Sequence, residues 1–372
     1  MKRVFTFLIL VVSLPSIGYA QTDAVLPDIT LPTGFSIRIY TDEVPNARSM
    51  TLGDQQTIFV STRRGGRVYA VVPQADTKPT IITIAENLRF PNGIAFHEGD
   101  LYVAETARII RFAEIENHLD DIPEYTIVTD SLPTESHHGW RYIAFGPDEK
   151  LYVTIGAPCN VCEREGFGEI LRMNADGSDV EVVAQGVRNS VGLAWDPDTG
   201  DLWFTDNGRD MMGDDLPAGE LNHAESTGLH FGFPYCHGGD LADPEFGVER
   251  SCSEFTAPAQ KLDPHVAPLG LVFYDGGMFP PDYQRQVFIA EHGSWNRSQK
   301  IGYRISNIRM IDDRPQSYAV FAEGWLKAGE VSGRPVDLLV LQDGSMLVSD
   351  DQAGSLYQIV YSPPAIDNLT TE

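Results

Sequence analysis

Short apolar segments recur along this chain in pairs, most of them opening on a small or polar residue. Gly93-Ile-Ala-Phe96 leads to Leu101-Tyr-Val-Ala104, and Tyr142-Ile-Ala-Phe145 leads to Leu151-Tyr-Val-Thr154. The pattern continues with Gly192-Leu-Ala-Trp195 and Leu202-Trp-Phe-Thr205, then Gly270-Leu-Val-Phe273 and Val287-Phe-Ile-Ala290. Asp337-Leu-Leu-Val340 with Met346-Leu-Val-Ser349 makes another copy, and Ser49-Met-Thr-Leu52 with Thr57-Ile-Phe-Val60 a more degenerate one. Runs this short, rich in β-branched and aromatic residues, read as strands rather than helices.

Turn chemistry falls between the runs, at Pro147-Asp148, from Asp198 to Gly200 and at Asp343-Gly344. Third strands follow at 67–70, 109–112, 170–173 and 355–359. Units of this kind, about 50 residues apart where loops are short, are the signature of radial repetition. They predict an all-β chain, a six-bladed β-propeller with long loop insertions over one face. A β-sandwich array would give less regular copies. The insertions are read from Gly208 to Val266 and from Gly293 to Pro335. Loops leaving the innermost strands gather over a propeller's central channel, where ligands sit.

Composition sharpens this picture in three places. Lys2 and Arg3, the apolar run 4–14, and Gly18 and Ala20 predict a signal peptide over 1–20, leaving one propeller domain over 21–372. That run is too short to span a bilayer, and no second run of spanning length follows. The expectation is a periplasmic or secreted protein with no membrane insertion. A net charge of −26 repels nucleic acid and anionic surfaces, and reads as a solubility device for a salty or extracellular milieu. It leaves room for a local basic cluster around an anionic cofactor. Four cysteines in an exported chain point to two disulfides, the simplest of three connectivities being Cys159–Cys162 and Cys236–Cys252. Glu163 after Cys162 excludes covalent haem attachment, and Cys236 and Cys252 lie too far apart to complete a zinc site.

Four polar clusters sit beside the repeated strands. Ser136-His-His-Gly-Trp-Arg141 precedes the third copy, and a histidine there is placed as a base near neutral pH. Gly186-Val-Arg-Asn-Ser-Val-Gly192 leads into the fourth, its Arg188 suited to carboxylates or a developing oxyanion. The stretch from Asp206-Asn-Gly-Arg-Asp210 to Asn222 offers hard oxygen donors of the kind calcium prefers, without EF-hand spacing. His265-Val-Ala-Pro-Leu-Gly270 and Glu291-His-Gly-Ser-Trp-Asn-Arg297 bring the polar and stacking groups that a flat aromatic cofactor with carboxylates would use.

Taken jointly, several motifs carry a resemblance. They are Phe90-Pro-Asn-Gly93, His138 with Arg141, Cys159-Asn-Val-Cys162-Glu163, and Gly186 with Arg188 and Asn189. Asp206-Asn-Gly-Arg-Asp210 with Gly213-Asp-Asp-Leu-Pro217, Phe231-Gly-Phe-Pro-Tyr-Cys-His-Gly238, His292-Gly-Ser-Trp-Asn-Arg297 and Gly333-Arg-Pro-Val-Asp337 complete the set. Over about 31–361 the chain resembles the glucose/sorbosone dehydrogenases that depend on pyrroloquinoline quinone (PQQ), most closely the L-sorbosone-dehydrogenase-like branch. The resemblance implies PQQ- and calcium-dependent oxidation of a sugar, a sorbosone-like aldehyde or a polyol by hydride transfer to the quinone. Electrons would leave to an external acceptor, a quinone or a cytochrome, since the chain has neither a haem motif nor a Rossmann fingerprint.

Residue by residue, the resemblance implies His138 as the base, with His137 as the alternate, and Arg188 as its catalytic partner. The cofactor would be held by Asn92, Arg188, Asn189, Asn207, His292, Trp295, Asn296, Arg297 and Arg334, and calcium by the backbone of Gly208 and Arg209. Relative to the soluble glucose dehydrogenases, Arg209 replaces a proline whose carbonyl binds calcium, a change that a backbone ligand survives. The second arginine of their cofactor clamp falls on Val336. Two other classes stand beside this reading: a metal-dependent propeller hydrolase of the lactonase kind, and a non-catalytic binding propeller.

Overall fold

Each repeat copy becomes a sheet of at least four strands in the computed structural model, which describes residues 29–75 and 77–364. The leader expected over 1–20 lies outside the described residues. The first blade joins Ala47–Leu52, Ile58–Thr62, Val68–Val72 and Thr80–Ala85; the second joins Gly93–His97, Asp100–Ala104, Ile109–Phe112 and Thr126–Thr129. The third runs Ile143–Phe145, Leu151–Ile155, Glu169–Met173 and Glu181–Gln185, with Leu229–His230 added in parallel at its outer edge. The fourth comprises Leu193–Trp195, Leu202–Asp206, Gly219–Ala224 and Gln260–Leu262. Pro268–Phe273, Val287–Glu291, Arg304–Ile311 and Arg314–Glu323 form the fifth.

The sixth blade takes three strands from the C-terminal end, Pro335–Val340, Met346–Asp350 and Ser355–Tyr361, and its outermost strand, Phe35–Thr41, from the N-terminal end. Phe35 stands opposite Tyr361 and Ile39 opposite Tyr357, so the two ends of the described chain close the ring as one sheet. The expected propeller of six blades is therefore present, and its six innermost strands touch side by side around a channel. Sequence reading missed the closing strand because its register partner lies more than 300 residues away.

Apolar residues pack between neighbouring blades rather than within one sheet. The largest such cluster, between the fifth and sixth blades, holds Phe288, Phe321, Phe279 and Ile37, with Phe35 edge-on to Phe279 at 4.8 Å. Both disulfides pair as the simplest connectivity has it, Cys159 with Cys162 and Cys236 with Cys252.

The two insertions need correction. The range 208–266 contains the third and fourth strands of the fourth blade, and 293–335 contains the two outer strands of the fifth. These strands lie toward the rim and alternate weakly; Arg314–Glu323 leaves six of its ten residues exposed. The true excursions are shorter: 207–218, 225–259 with a small hairpin of Cys236–His237 and Leu241–Ala242, and 292–303.

An innermost strand pairs on one side only, so its other edge turns free N–H and C=O groups toward the channel. Side chains from neighbouring blades satisfy them. Thr205 donates to Leu269 O at 2.6 Å, Asn92 to Arg141 O at 3.0 Å, and Ser349 to Arg48 O at 2.6 Å. Asp337 accepts from Met50 N at 2.9 Å and so ties the sixth blade to the first. Gly270 lies against it: a Cβ there would stand 2.0 Å from the Asp337 carboxyl, so no larger residue fits.

Two predictions follow from this closure. Ile37→Ala, at a buried position of the closing strand, should cost about 2–5 kcal/mol in denaturant unfolding. A loss under about 0.5 kcal/mol would mean that the closing strand adds little. Burial raises the Asp337 carboxyl to about 7, whereas an unfolded aspartate ionises near 4. The folded chain therefore holds the extra proton between about pH 4 and 7, and this contribution is lost as pH rises through 7. The stability advantage of wild type over Asp337→Asn should shrink from about pH 5 to about pH 8; an advantage that grows would refute the assignment.

Candidate functional site

Where the innermost strands begin, the loops enclose a cavity of about 410 Å³ over the channel. Arg48 and Arg334 reach it from the starts of the first and sixth blades, His137 and His138 from the third, and Arg188 and Asn189 from the fourth. Asn207 and Gly208 lie on one roof loop, and His292, Trp295 and Asn296 on another. The two loops are pinned together by Arg297, which donates to Asp214 O at 2.9 Å and pairs with Asp215; His265, just before the fifth blade, donates from Nε2 to Gly213 O at 2.8 Å.

His138 is buried in the left-handed region, φ 48°. Its Nδ1 lies 2.8 Å from Ala157 O. A carbonyl only accepts, so Nδ1 carries the hydrogen and Nε2 keeps the lone pair. Burial first, then the Arg188 and His137 charges, hold its pKa well below the usual histidine value. The ring is therefore a neutral base at physiological pH. His137 lies 4.1 Å away, ring to ring, and its pKa is lowered by burial and by Arg188. Beneath His138 runs Gly156, where a Cβ would meet His138 Cβ at 2.7 Å and its carbonyl oxygen at 2.9 Å.

Arg188 is placed differently from expectation. Its Nε donates to Asn160 O at 2.8 Å; one Nη serves Asn207 O at 3.1 Å and Gly208 O at 2.8 Å; the other serves Asn160 Oδ1 at 2.9 Å and Asp210 Oδ2 at 3.0 Å. All five guanidinium donors are thereby spent inside the protein. Arg188 lines the cavity as a fixed charge, with no N–H left to hydrogen-bond a cofactor or an oxyanion. Asn92 also needs correction: it is fully buried away from the cavity, accepting from Arg48 and donating to Arg141 O. Arg297 does not line the cavity but staples its roof. The Arg209 side chain turns away to Asp243 and Glu245.

Sequence reasoning missed half of the cationic wall. Arg63, Arg64 and Arg48 face the cavity beside Arg334 and His292. Arg63 lies 4.6 Å over the Trp140 ring, and burial, with Arg48 nearby, lowers it to about 10. Arg334 donates to His292 O and Gly293 O at 2.9 and 2.8 Å. Asp351 neutralises Arg48 at 3.1 Å and accepts from His292 Nε2 at 2.8 Å. Although burial opposes it, the pull of His292 and Arg48 holds Asp351 well below the usual carboxylate range, while burial pushes His292 down to about 4. The pair is thus an ionised Asp351 with a neutral His292. Among the described residues, Arg63, Arg64 and Arg334 pair with no carboxylate. The dipeptide Arg63-Arg64 beside two glycines was the available signal.

No group of three His, Cys, Asp or Glu side chains gathers at the cavity among the described residues; the one such group, Asp196, Asp198 and Asp313, includes exposed residues and lies elsewhere. A divalent ion here would rest on backbone carbonyls; Gly208 lines the cavity, and its carbonyl already accepts from Arg188 at 2.8 Å, which leaves one lone pair.

Fold and site together define a six-bladed propeller with a cationic, histidine-containing cavity over its channel. The family model for glucose/sorbosone dehydrogenases matches residues 94–293, and the chain belongs to that family. A TrAA12-like model matches 242–362. An uncharacterised protein of Borreliella burgdorferi is 34% identical over 350 residues, 90% of this chain and 91% of that one. Among solved structures, a calcium structure of a Trichoderma reesei carbohydrate-active enzyme of family AA12 superposes with a TM-score of 0.80 at 18% identity, covering 90% of this chain and 98% of that one. The holo PQQ domain of pyranose dehydrogenase from Coprinopsis cinerea gives 0.76 at 17% identity, covering 89% and 97%.

Gly156→Ala should leave the propeller folded at a cost of about 1–3 kcal/mol and displace the His138 ring. Nitrogen-detected NMR of the His138 tautomer checks this; an unchanged Nδ1–H signal would show that the cavity floor absorbs the methyl.

Proposed function

We propose that this chain oxidises a sugar, a sorbosone-like aldehyde or a polyol with PQQ and Ca2+ bound in the cavity, and passes the electrons to an external quinone or cytochrome. The observation that carries the reading is the wall of Arg63, Arg64 and Arg334, three guanidiniums without carboxylate partners, facing a neutral histidine in a chain of net charge −26. Arg63 and Arg334 are half-buried and Arg64 is exposed at the rim, and holding such like charges side by side is costly unless an anion compensates them. A flat tricarboxylate does so, and planar guanidiniums suit carboxylates. The Asn296 amide nitrogen supports the fit: it is buried with no hydrogen-bond partner in a residue lining the cavity. Trp140 and Trp295 supply stacking surface.

PQQ, when bound, supplies an electrophilic quinone carbonyl that accepts a hydride, and calcium polarises it. The protein's own share is to hold and move one proton. His138, with Nδ1 committed to Ala157 O, would take the substrate hydroxyl proton at Nε2. Arg188, held near it, disfavours the protonated ring and so keeps Nε2 free until substrate arrives. Asn189, Asn207, His292 and Arg334 would orient the cofactor as wall groups. Gly208 O, and Arg209 O on the same loop, are the proposed metal ligands. With so few protein ligands, calcium should bind weakly alone and tightly only beside the cofactor's oxygens. Two disulfides suit an oxidising compartment, so a periplasmic or secreted location is part of the proposal.

The test is dye-coupled oxidation of aldoses, sorbosone and polyols by the purified protein, with and without PQQ and calcium. Activity should require both, and His138→Ala should lower kcat/KM about 10²–10⁴-fold. Because the His138 pKa is lowered, kcat/KM should stay level as pH falls through about 6.5. Arg63→Ala should weaken PQQ binding about tenfold or more, one lost charge-assisted pair. No PQQ binding in an absorbance titration, with no activity, would sink the reading.

A further inference from the structure

The short segment around the Cys159–Cys162 disulfide touches both His138 and Arg188. Ala157 O accepts from His138 Nδ1, and Ala157 N donates to Arg188 O at 2.8 Å. Asn160, inside the disulfide ring, has every polar atom of its side chain engaged. Its Oδ1 accepts from Arg188 Nη2 and from Asp210 N at 2.8 Å, and its Nδ2 donates to Asp210 O at 3.0 Å. Its carbonyl takes the Arg188 Nε–H. No regular strand supports this loop, which leaves the third blade after Ile155 and returns at Glu169. An asparagine in so short an irregular segment holds its rotamer only if the backbone is fixed, and the disulfide fixes it across three residues.

We propose that Asn160, immobilised by the Cys159–Cys162 disulfide, is the positioning residue of the site: it locks Arg188 and the Asn207–Asp210 segment into one rigid unit beside His138. The substrate-side consequence rests on the reading under Proposed function; the positioning itself does not. Without the Asn160 side chain, Arg188 loses one of its five acceptors, Oδ1, and the Asp210 amide and carbonyl lose their partners. The Gly208 carbonyl, which Arg188 anchors, is then free to drift.

The experiment compares wild type, Asn160→Ala, Asn160→Asp and the double variant Cys159→Ser/Cys162→Ser, which leaves Cys236–Cys252 intact. Hydrogen exchange of the Asp210 amide is measured in the apoprotein, and PQQ affinity by absorbance titration with calcium present. Asn160→Ala and the double serine variant should each speed Asp210 exchange about tenfold, with blade-strand amides unchanged, and weaken PQQ binding about tenfold. Asn160→Asp keeps the acceptor oxygen and should lie nearer to wild type. Asp210 exchange within twofold of wild type in Asn160→Ala would overturn the proposal, as would a rise spread evenly over the blades. A change in the serine variant alone would also overturn it, since Asn160 would then not be the link. Should the serine variant fail to fold, Asn160→Ala decides. If wild type binds no PQQ, the functional reading fails, and exchange alone judges the positioning role.

Discussion

The molecule is organised by what happens at the inner edge of each blade. Six strands converge on one channel, each with one edge paired and the other bare. Bare backbone groups in a narrow, partly dry channel must find partners there. Thr205, Asn92, Ser349 and Asp337 answer that demand across three seams of the ring, and Arg334 ties the sixth blade to the loop after the fifth blade's second strand. Polar side chains are thus drawn to the strand starts for structural reasons before any chemistry is considered. A cavity over the channel inherits a lining already rich in donors.

That inheritance explains which parts of the site were legible beforehand. The six-fold repeat was readable because core strands such as Leu101–Ala104 and Leu151–Thr154 keep the same apolar order, set by packing between blades. His138, Asn189 and Arg334 were singled out because strand starts are equivalent positions around the ring, and Asn207 and His292 because they lie in polar clusters after second strands; all five line the cavity. The same logic over-reached at Asn92. Its position is equivalent too, but its amide bridges Arg48 to Arg141 O below the cavity. Sequence position reports proximity to the channel; whether a side chain turns up to the cavity or sideways to the next blade depends on its rotamer. Arg63 and Arg64 escaped notice: they follow a second strand, as Asn207 and His292 do, but on a short loop that carries no histidine or asparagine to mark it. The closing strand 35–41 and the outer strands of the fifth blade were hidden because their partners are distant or their faces half exposed.

Electrostatics separates the arginines into two kinds. Arg48 and Arg188 are each paired, with Asp351 and Asp210, and each spends its fork on protein acceptors. They are rigid, and their charges are largely offset locally. Arg63, Arg64 and Arg334 make no ion pair of their own; burial lowers the pKa of Arg63 and Arg334, and the Asp351 charge opposes this only in part. Three such cations survive beside one another partly because the rest of the chain is strongly acidic. The surrounding field lowers the cost of keeping them charged while giving free anions no general reason to approach. Selectivity for an anion then comes from shape within the cavity rather than from long-range attraction.

His138 completes this division. Burial above all, and then the charge of Arg188, disfavour a proton on this ring, so Nε2 keeps its lone pair. The fixed tautomer matters as much, because Ala157 O prevents the ring from turning that lone pair elsewhere. One carbonyl, held in place by the loop that carries Asn160, thus sets the direction along which the base can act.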